Sequence, residues 1–364
     1  MKSERNHLEK LYIEVTNRCN LDCRTCMRNA WEEPLGNMEF DLFQGIMSEL
    51  GRNPDSPIVF FGGIGEPLSH PDIIKMVQLA KETGCRVEMI SNGILLNEDM
   101  ARELMNAGID CLWVSIDGAH PNSYSDVRLG DHLPEILENL EQWKRLALSR
   151  KDRRIELGIS FVALKRNIQD LPEIVELALH LQAQRFSLSN VEAYTKDLYP
   201  ETLYPMTVSL DIPPDGIWVP RFDNNLIDER ILSRIRENFQ TPEPREASSV
   251  GVCPFASRHS LSIRWDGMLS PCLPLLHSHT VHFQHYARPW PAFHLASLRK
   301  DPLNVIRESV VFREFIRKLQ DFSFAPCLTC NGCDLPSENG EDCFGNVHPA
   351  CGGCLWAQGF IVCP

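Results

Sequence analysis

The sequence predicts an α/β chain: a partial (β/α)6 barrel, open on one side, followed by a bridging region and a C-terminal Cys-rich domain. Three observations lead there. Across the first 192 residues, six stretches rich in Val, Ile and Phe alternate with amphipathic segments. The residues with chemical potential cluster directly after those stretches. The fourteen cysteines divide into a triplet near the start, nine between Cys253 and Cys363, and an isolated pair. Strand–helix alternation calls for a parallel sheet with right-handed crossovers. Six units are two short of a closed (β/α)8 barrel, and a doubly wound open sheet is the competing architecture.

Taken in order, strands are expected at 10–16, 57–62, 86–91, 111–117, 155–164 and 185–192. Between them, Leu42, Phe43, Ile46, Met47 and Leu50 share one face of a helix over 40–50. Ile136, Leu137, Leu140, Trp143 and Ala147 do the same over 135–149. Asp170 and Glu173 read as a capping box opening the helix that carries Ile174, Val175 and Leu177. Residues 193–250 are punctuated by proline, with one short helical run around 226–238, and read as a bridge. Beyond it, Trp265-Asp-Gly267 reads as a hairpin turn that brings Cys253 and Cys272 together. The expected domains are therefore 8–192, 193–250 and 251–364.

At 364 residues the chain exceeds one comfortable core, and 43% apolar residues suffice to fill it. No run of eighteen apolar residues occurs and the N-terminus lacks an apolar signal region, so a cytoplasmic, soluble protein is expected. Fourteen cysteines in that setting point to metal or redox chemistry, since disulfides rarely persist there. A net charge of −13 disfavours nonspecific contact with nucleic acid or an anionic membrane. Cys85 and Cys111 are expected to be small core residues.

Cys19, Cys23 and Cys26 form a C-x3-C-x2-C triplet straight after the first strand. Three thiolates are one short of the usual complement of a [4Fe–4S] cluster, which leaves an iron open to a small molecule. A zinc loop is the alternative. Gly62-Gly63-Ile64-Gly65-Glu66-Pro67 follows the second strand. Its glycines admit a ligand close to the main chain, and Glu66 offers a carboxylate to an amine. It lacks the lysine and hydroxyl of a phosphate loop. Ser91-Asn92-Gly93 follows the third strand and Ser115-Ile-Asp117-Gly118 closes the fourth. Ser91, Asn92 and Ser115 are candidates to bond a ribose or carboxylate, and Asp117 to do so or to cap a helix. Lys165-Arg-Asn167 follows the fifth strand, so all five clusters converge on one rim.

The run Cys19-Asn-Leu-Asp-Cys23-Arg-Thr-Cys26, with its Gly-Gly…Glu-Pro partner, resembles the radical S-adenosylmethionine (SAM) superfamily. The resemblance implies that Cys19, Cys23 and Cys26 hold a cluster whose unique iron chelates SAM. One electron then cleaves SAM to methionine and a 5′-deoxyadenosyl radical, which takes a hydrogen atom from the substrate. It also implies that the Gly62–Glu66 element faces the methionine amine, and that a ferredoxin or flavodoxin supplies electrons. Two departures stand out: Thr25 replaces the usual aromatic residue, and Gly-Gly-Ile-Gly-Glu is longer than Gly-Gly-Glu.

The C-terminal pattern begins Cys253-x13-Gly267-x4-Cys272. Cys327, Cys330, Cys333, Cys343, Cys351, Cys354 and Cys363 follow. It resembles the SPASM domain of radical SAM enzymes that modify peptides and proteins, which implies two auxiliary [4Fe–4S] clusters. Two zinc knuckles are the alternative. The spacing leaves open which cysteine serves which cluster. The stretch from Glu341 to Pro364, with Cys-Arg-Thr-Cys-Met-Arg-Asn-Ala-Trp31, resembles a subfamily of cofactor-modifying proteins, or maturases, for tungsten-containing aldehyde ferredoxin oxidoreductases. That implies a protein substrate, a tungsten-containing oxidoreductase. A peptide- or sulfatase-modifying enzyme and a non-catalytic iron–sulfur scaffold are the alternatives. His277, His279, His282 and His285 are expected in a solvated loop, a metal role being the lesser reading.

Overall fold

The computed structural model describes residues 8–51, 56–204, 227–240, 251–283, 286–327, 340–349 and 351–362. The first half alternates β1 (Lys10–Ile13), α1 (Phe40–Leu50), β2 (Ile58–Phe61), α2 (Ile73–Glu82), β3 (Arg86–Ser91), α3 (Glu98–Ala107) and β4 (Cys111–Ser115). It continues with α4 (Pro121–Arg128), α5 (Leu133–Ser149), β5 (Glu156–Ala163), α6 (Leu171–His180) and β6 (Arg185–Asn190). Then come α7 (Glu229–Asn238), α8 (Pro254–Ser257), β7 (Ser260–Ile263), β8 (Met268–Ser270), β9 (His279–Phe283), β10 (Tyr286–Trp290), β11 (Ala296–Ser297), α9 (Leu303–Glu308) and α10 (Val310–Gln320).

Strands β1 to β6 lie side by side in chain order, all parallel. A doubly wound sheet reverses its strand order at a switch point, and this one does not, so the barrel reading holds. The sheet is nevertheless wider than six strands. β7, from the Cys-rich region, pairs in parallel with β1, and β8 and β11 follow antiparallel. The Trp265–Gly267 turn joins β7 to β8 as expected, with Gly267 at φ +90°, a conformation that favours glycine.

Alternation along the strands sorts the core. Leu11, Ile13, Val59, Phe61, Leu112 and Val114 face the helices. Tyr12, Phe60, Cys111 and Trp113 face inward, where they meet Phe255, Leu275 and Trp290 of the Cys-rich region. Gly158 makes room for this: a Cβ there would lie 2.4 Å from the Trp113 ring. Cys85 and Cys111 are buried core residues, as expected.

One expectation needs correcting. Asp170 does not cap α6 with its side chain. Its Oδ2 instead accepts the Ala119 amide at 2.8 Å and the Ser123 hydroxyl, fixing the start of α4. The bridge packs on the barrel: Ile235 of α7 is buried, and the Phe239 ring lies 5.4 Å from that of Phe186 in β6. Among the described residues no helix is long and apolar enough to cross a membrane.

Candidate functional site

The loops after β1, β2, β3 and β4 meet at one rim. The loop carrying the triplet is pinned at its base, where the Thr16 hydroxyl donates to the Gly36 carbonyl at 2.9 Å. The Asn17 amide group donates to Pro34 O at 3.0 Å and accepts from Gly36 N at 2.7 Å. Within the triplet, the Leu21 N–H points at Cys19 Sγ (3.4 Å), Cys26 N–H donates to Cys23 O (3.0 Å), and Asn29 Nδ2 donates to the same carbonyl (2.9 Å). Burial pushes the Cys19 thiol up and the Cys26 thiol to about 11, and the neighbouring thiols add to both. Cys19 and Cys26 are therefore unfavourable as bare thiolates, and a cationic centre bound there relieves the repulsion. The donor set fits an iron cluster.

Glu66 is buried, and burial raises its pKa. Its carboxylate accepts from Leu68 N at 3.0 Å, from Asn92 N at 2.7 Å and from the Ser91 side chain. A carboxylate has roughly four acceptor positions, so most of this one serves to hold the rim together. Asn92 is likewise engaged: Nδ2 donates to Asn20 Oδ1 at 2.8 Å and lies 3.9 Å from Cys19 Sγ, while Oδ1 accepts from Ile94 N. Ser91 Oγ accepts from Gly93 N at 3.0 Å. Ser115 stays partly exposed at the end of β4.

Asp117 does not cap α4, and its carboxylate is buried. Its Oδ1 accepts Val162 N at 2.8 Å, and its Oδ2 pairs with Arg128 Nη2 at 2.6 Å, both side chains being largely buried. Arg128 Nη1 in turn lies 3.7 Å from Cys23 Sγ. This puts a buried cation beside the triplet.

A second set of thiols assembles from the far end of the chain. Cys253, Cys272, Cys351 and Cys354 are packed in the inward-facing cluster with Tyr12 and Trp113. Burial raises all four pKa values, and Cys253, Cys354 and Cys351 each push Cys272 higher. Among the described residues no three His, Cys, Asp or Glu side chains gather closely enough to hold a single metal ion. The four thiols are within electrostatic reach of one another. Cys327 is buried and Cys343 exposed. Cys330, Cys333 and Cys363 lie outside the described residues.

Comparison with known proteins bears directly on these two thiol sets. The radical SAM superfamily profile matches residues 13–178, and an iron–sulfur cluster-binding (SPASM) domain profile matches residues 253–334. This chain carries a radical SAM domain and a SPASM domain. It is 29% identical, over 98% of its own length and 97% of the relative's, to a tungsten-containing aldehyde ferredoxin oxidoreductase cofactor-modifying protein of Pyrococcus furiosus. A PqqA peptide cyclase of Rhodopseudomonas palustris is 30% identical over 50% of this chain and 46% of that protein. Streptococcus suis SuiB bound to SAM shares the fold at TM-score 0.60 and 15% identity, covering 90% of this chain and 71% of that one. Native anSMEcpe with bound SAM does so at TM-score 0.57 and 14% identity, over 96% and 95%.

A radical SAM domain therefore occupies this barrel, followed in the chain by an iron–sulfur cluster-binding domain. Several residues near its site escaped the sequence reading. Glu192, just past β6, is buried; its Oε2 accepts from Tyr194 OH at 2.9 Å and Trp356 Nε1 at 3.1 Å. Tyr194 feels the charge of Cys26, and Cys354 that of Glu192, so the pair stands between the two thiol sets. The histidine tract is not a solvated loop. His277 and His279 are buried, and only His282 of the described members is half-exposed; His285 lies outside the described residues.

Proposed function

We propose that this enzyme cleaves SAM reductively and uses the resulting radical to modify or mature a protein or its cofactor, a tungsten-containing aldehyde ferredoxin oxidoreductase being the foremost substrate. The observation that carries the reading is the convergence of the triplet, the glycine loop and Asn92 on one rim, in a chain alignable end to end with the Pyrococcus protein. Cys19, Cys23 and Cys26 would hold the SAM-binding [4Fe–4S] cluster. Cys253, Cys272, Cys351 and Cys354 would hold one auxiliary cluster, and the remaining C-terminal cysteines supply donors for another. When bound, the first cluster supplies the electron that breaks the C–S bond of SAM.

The chain's own residues do the positioning. Gly62 and Gly63 present main chain to the methionine end, and Glu66, Ser91 and Asn92 lock that loop to the cluster loop. Ser115 is the rim hydroxyl left to contact SAM. Arg128 sets a fixed positive charge beside Cys23. Free cysteines throughout the described residues suit a cytoplasmic setting and a ferredoxin or flavodoxin donor. Cys23→Ala, incubated anaerobically with dithionite and SAM, is expected to form no 5′-deoxyadenosine. Formation at the normal rate would overturn the assignment of catalysis to the triplet. The peptide-modifying alternative draws on the half-length match to a peptide cyclase, and a tungsten oxidoreductase that turns over as substrate would exclude it.

A further inference from the structure

Glu14, His277 and the partly exposed Glu33 form a carboxylate–imidazole–carboxylate chain that none of the readings above uses. Glu14, just past β1, and His277 are fully buried side chains. His277 Nε2 lies 2.9 and 3.0 Å from the two Glu14 oxygens, and Nδ1 lies 2.5 Å from Glu33 Oε2. With a carboxylate on each ring nitrogen, both nitrogens act as donors, and the ring is an imidazolium. The Trp31 ring covers it edge-on at 4.2 Å.

The other end of this chain is the glycine loop. Glu14 Oε2 also accepts the Ile64 N–H at 3.1 Å. Gly63 lies directly over the same carboxylate: a Cβ there would be 2.7 Å from Glu14 Cβ and 2.9 Å from its Oε2. Ile64 and Gly65 are the residues that lengthen the loop beyond Gly-Gly-Glu, and it is Ile64 that reaches Glu14. The segment after Cys272 is thereby tied to the loop through one protonated side chain.

We propose that His277 is a positioning residue for SAM: clamped between Glu14 and Glu33, it holds Glu14 under the Gly63–Ile64 main chain and so sets the loop's binding geometry. This rests on the assignment of that loop to SAM. The charged groups around His277 are Glu14 just past β1, Glu33 from the loop after the triplet, and Arg264 beyond β7, which pairs with Glu33 at 3.3 Å. His279 and His294 are neighbours held by carbonyls, the former by His277 O at 2.9 Å and the latter by Leu276 O at 3.0 Å. Burial opposes the His277 charge, but the two carboxylates prevail and raise its pKa to about 9. A raised histidine pKa means the clamp is complete below about 6.5 and is lost as pH rises through about 9.

The test is SAM affinity of the cluster-loaded protein by equilibrium dialysis against pH, with 15N-histidine NMR of the same variants before cluster loading. His277→Gln should weaken SAM binding about tenfold at pH 7.5 and abolish its fall between pH 8 and 10. It should also remove one imidazolium signal that persists at pH 8. Glu33→Gln keeps the fold and one carboxylate, so it should move the midpoint of that fall to lower pH. Unchanged affinity and pH profile in both variants would overturn the inference while leaving SAM cleavage intact. Absence of SAM binding or 5′-deoxyadenosine in the unaltered enzyme would instead overturn the function on which it rests.

Discussion

Gly65→Ala is the sharpest perturbation the site offers. A Cβ at this position would lie 2.3 Å from Thr16 O, 2.6 Å from Arg18 O and 2.8 Å from Asn17 Cα. All three are main-chain atoms and cannot swing aside as a side chain would. Ordinary contacts at a Cβ begin near 3.4 Å, so the glycine loop and the Thr16–Arg18 segment must part by about 1 Å. That segment runs straight into Cys19, and its Arg18 carbonyl accepts the Glu66 N–H at 2.8 Å. The displacement therefore separates the loop assigned to SAM from the triplet. A misplacement of that size costs on the order of 100-fold in rate. The assay is chromatographic measurement of 5′-deoxyadenosine under dithionite, alongside iron and sulfide counts, which should not change because no cysteine is touched. Gly45→Ala on α1 is the control: its Cβ meets nothing within 4 Å, and helix propensity predicts a gain of about 0.5–1 kcal/mol. A Gly65→Ala enzyme within twofold of the normal rate would refute the packing argument.

Asp117→Asn leaves Arg128 as a buried cation without its anion, and urea unfolding of the protein before cluster loading should show a loss of about 3–5 kcal/mol. A loss below about 1 kcal/mol would mean that the pair is dispensable. Cys351→Ser with Cys354→Ser should lower the iron content by about four per chain while uncoupled SAM cleavage persists, since the N-terminal triplet is untouched. Iron unchanged in that double variant would mean that these thiols hold no cluster.

Much of the barrel was legible because its strands are short, apolar and separated by helices whose inward faces repeat at helical spacing. Strand β1 shows the limit. The apolar pattern runs to Val15, but pairing with β2 stops at Ile13, because Glu14 and Thr16 turn to bond the glycine loop and Gly36. A charged residue at the end of an apolar strand was the one local sign of that role. The rim loops were legible as a set, whereas the bonds that tie them together were not: Glu66 accepts from Asn92 N, and Asn92 Nδ2 donates to Asn20. The Asp117 ion pair was not legible because its partner, Arg128, comes from the end of α4, and nothing in either local sequence announces it. The same holds for His277, whose two partners are separated from it by 263 and 244 residues. Grouping Cys253 and Cys272 required only a hairpin turn. Adding Cys351 and Cys354 required the tertiary fold, since their spacing is compatible with several pairings.

The electron paramagnetic resonance spectrum of the anaerobically reduced protein, recorded with and without SAM, probes the open coordination position at the triplet most directly. The account predicts that SAM shifts the signal of the N-terminal cluster, and that Cys23→Ala removes that response. A spectrum indifferent to SAM, or a response that survives the loss of Cys23, would contradict it.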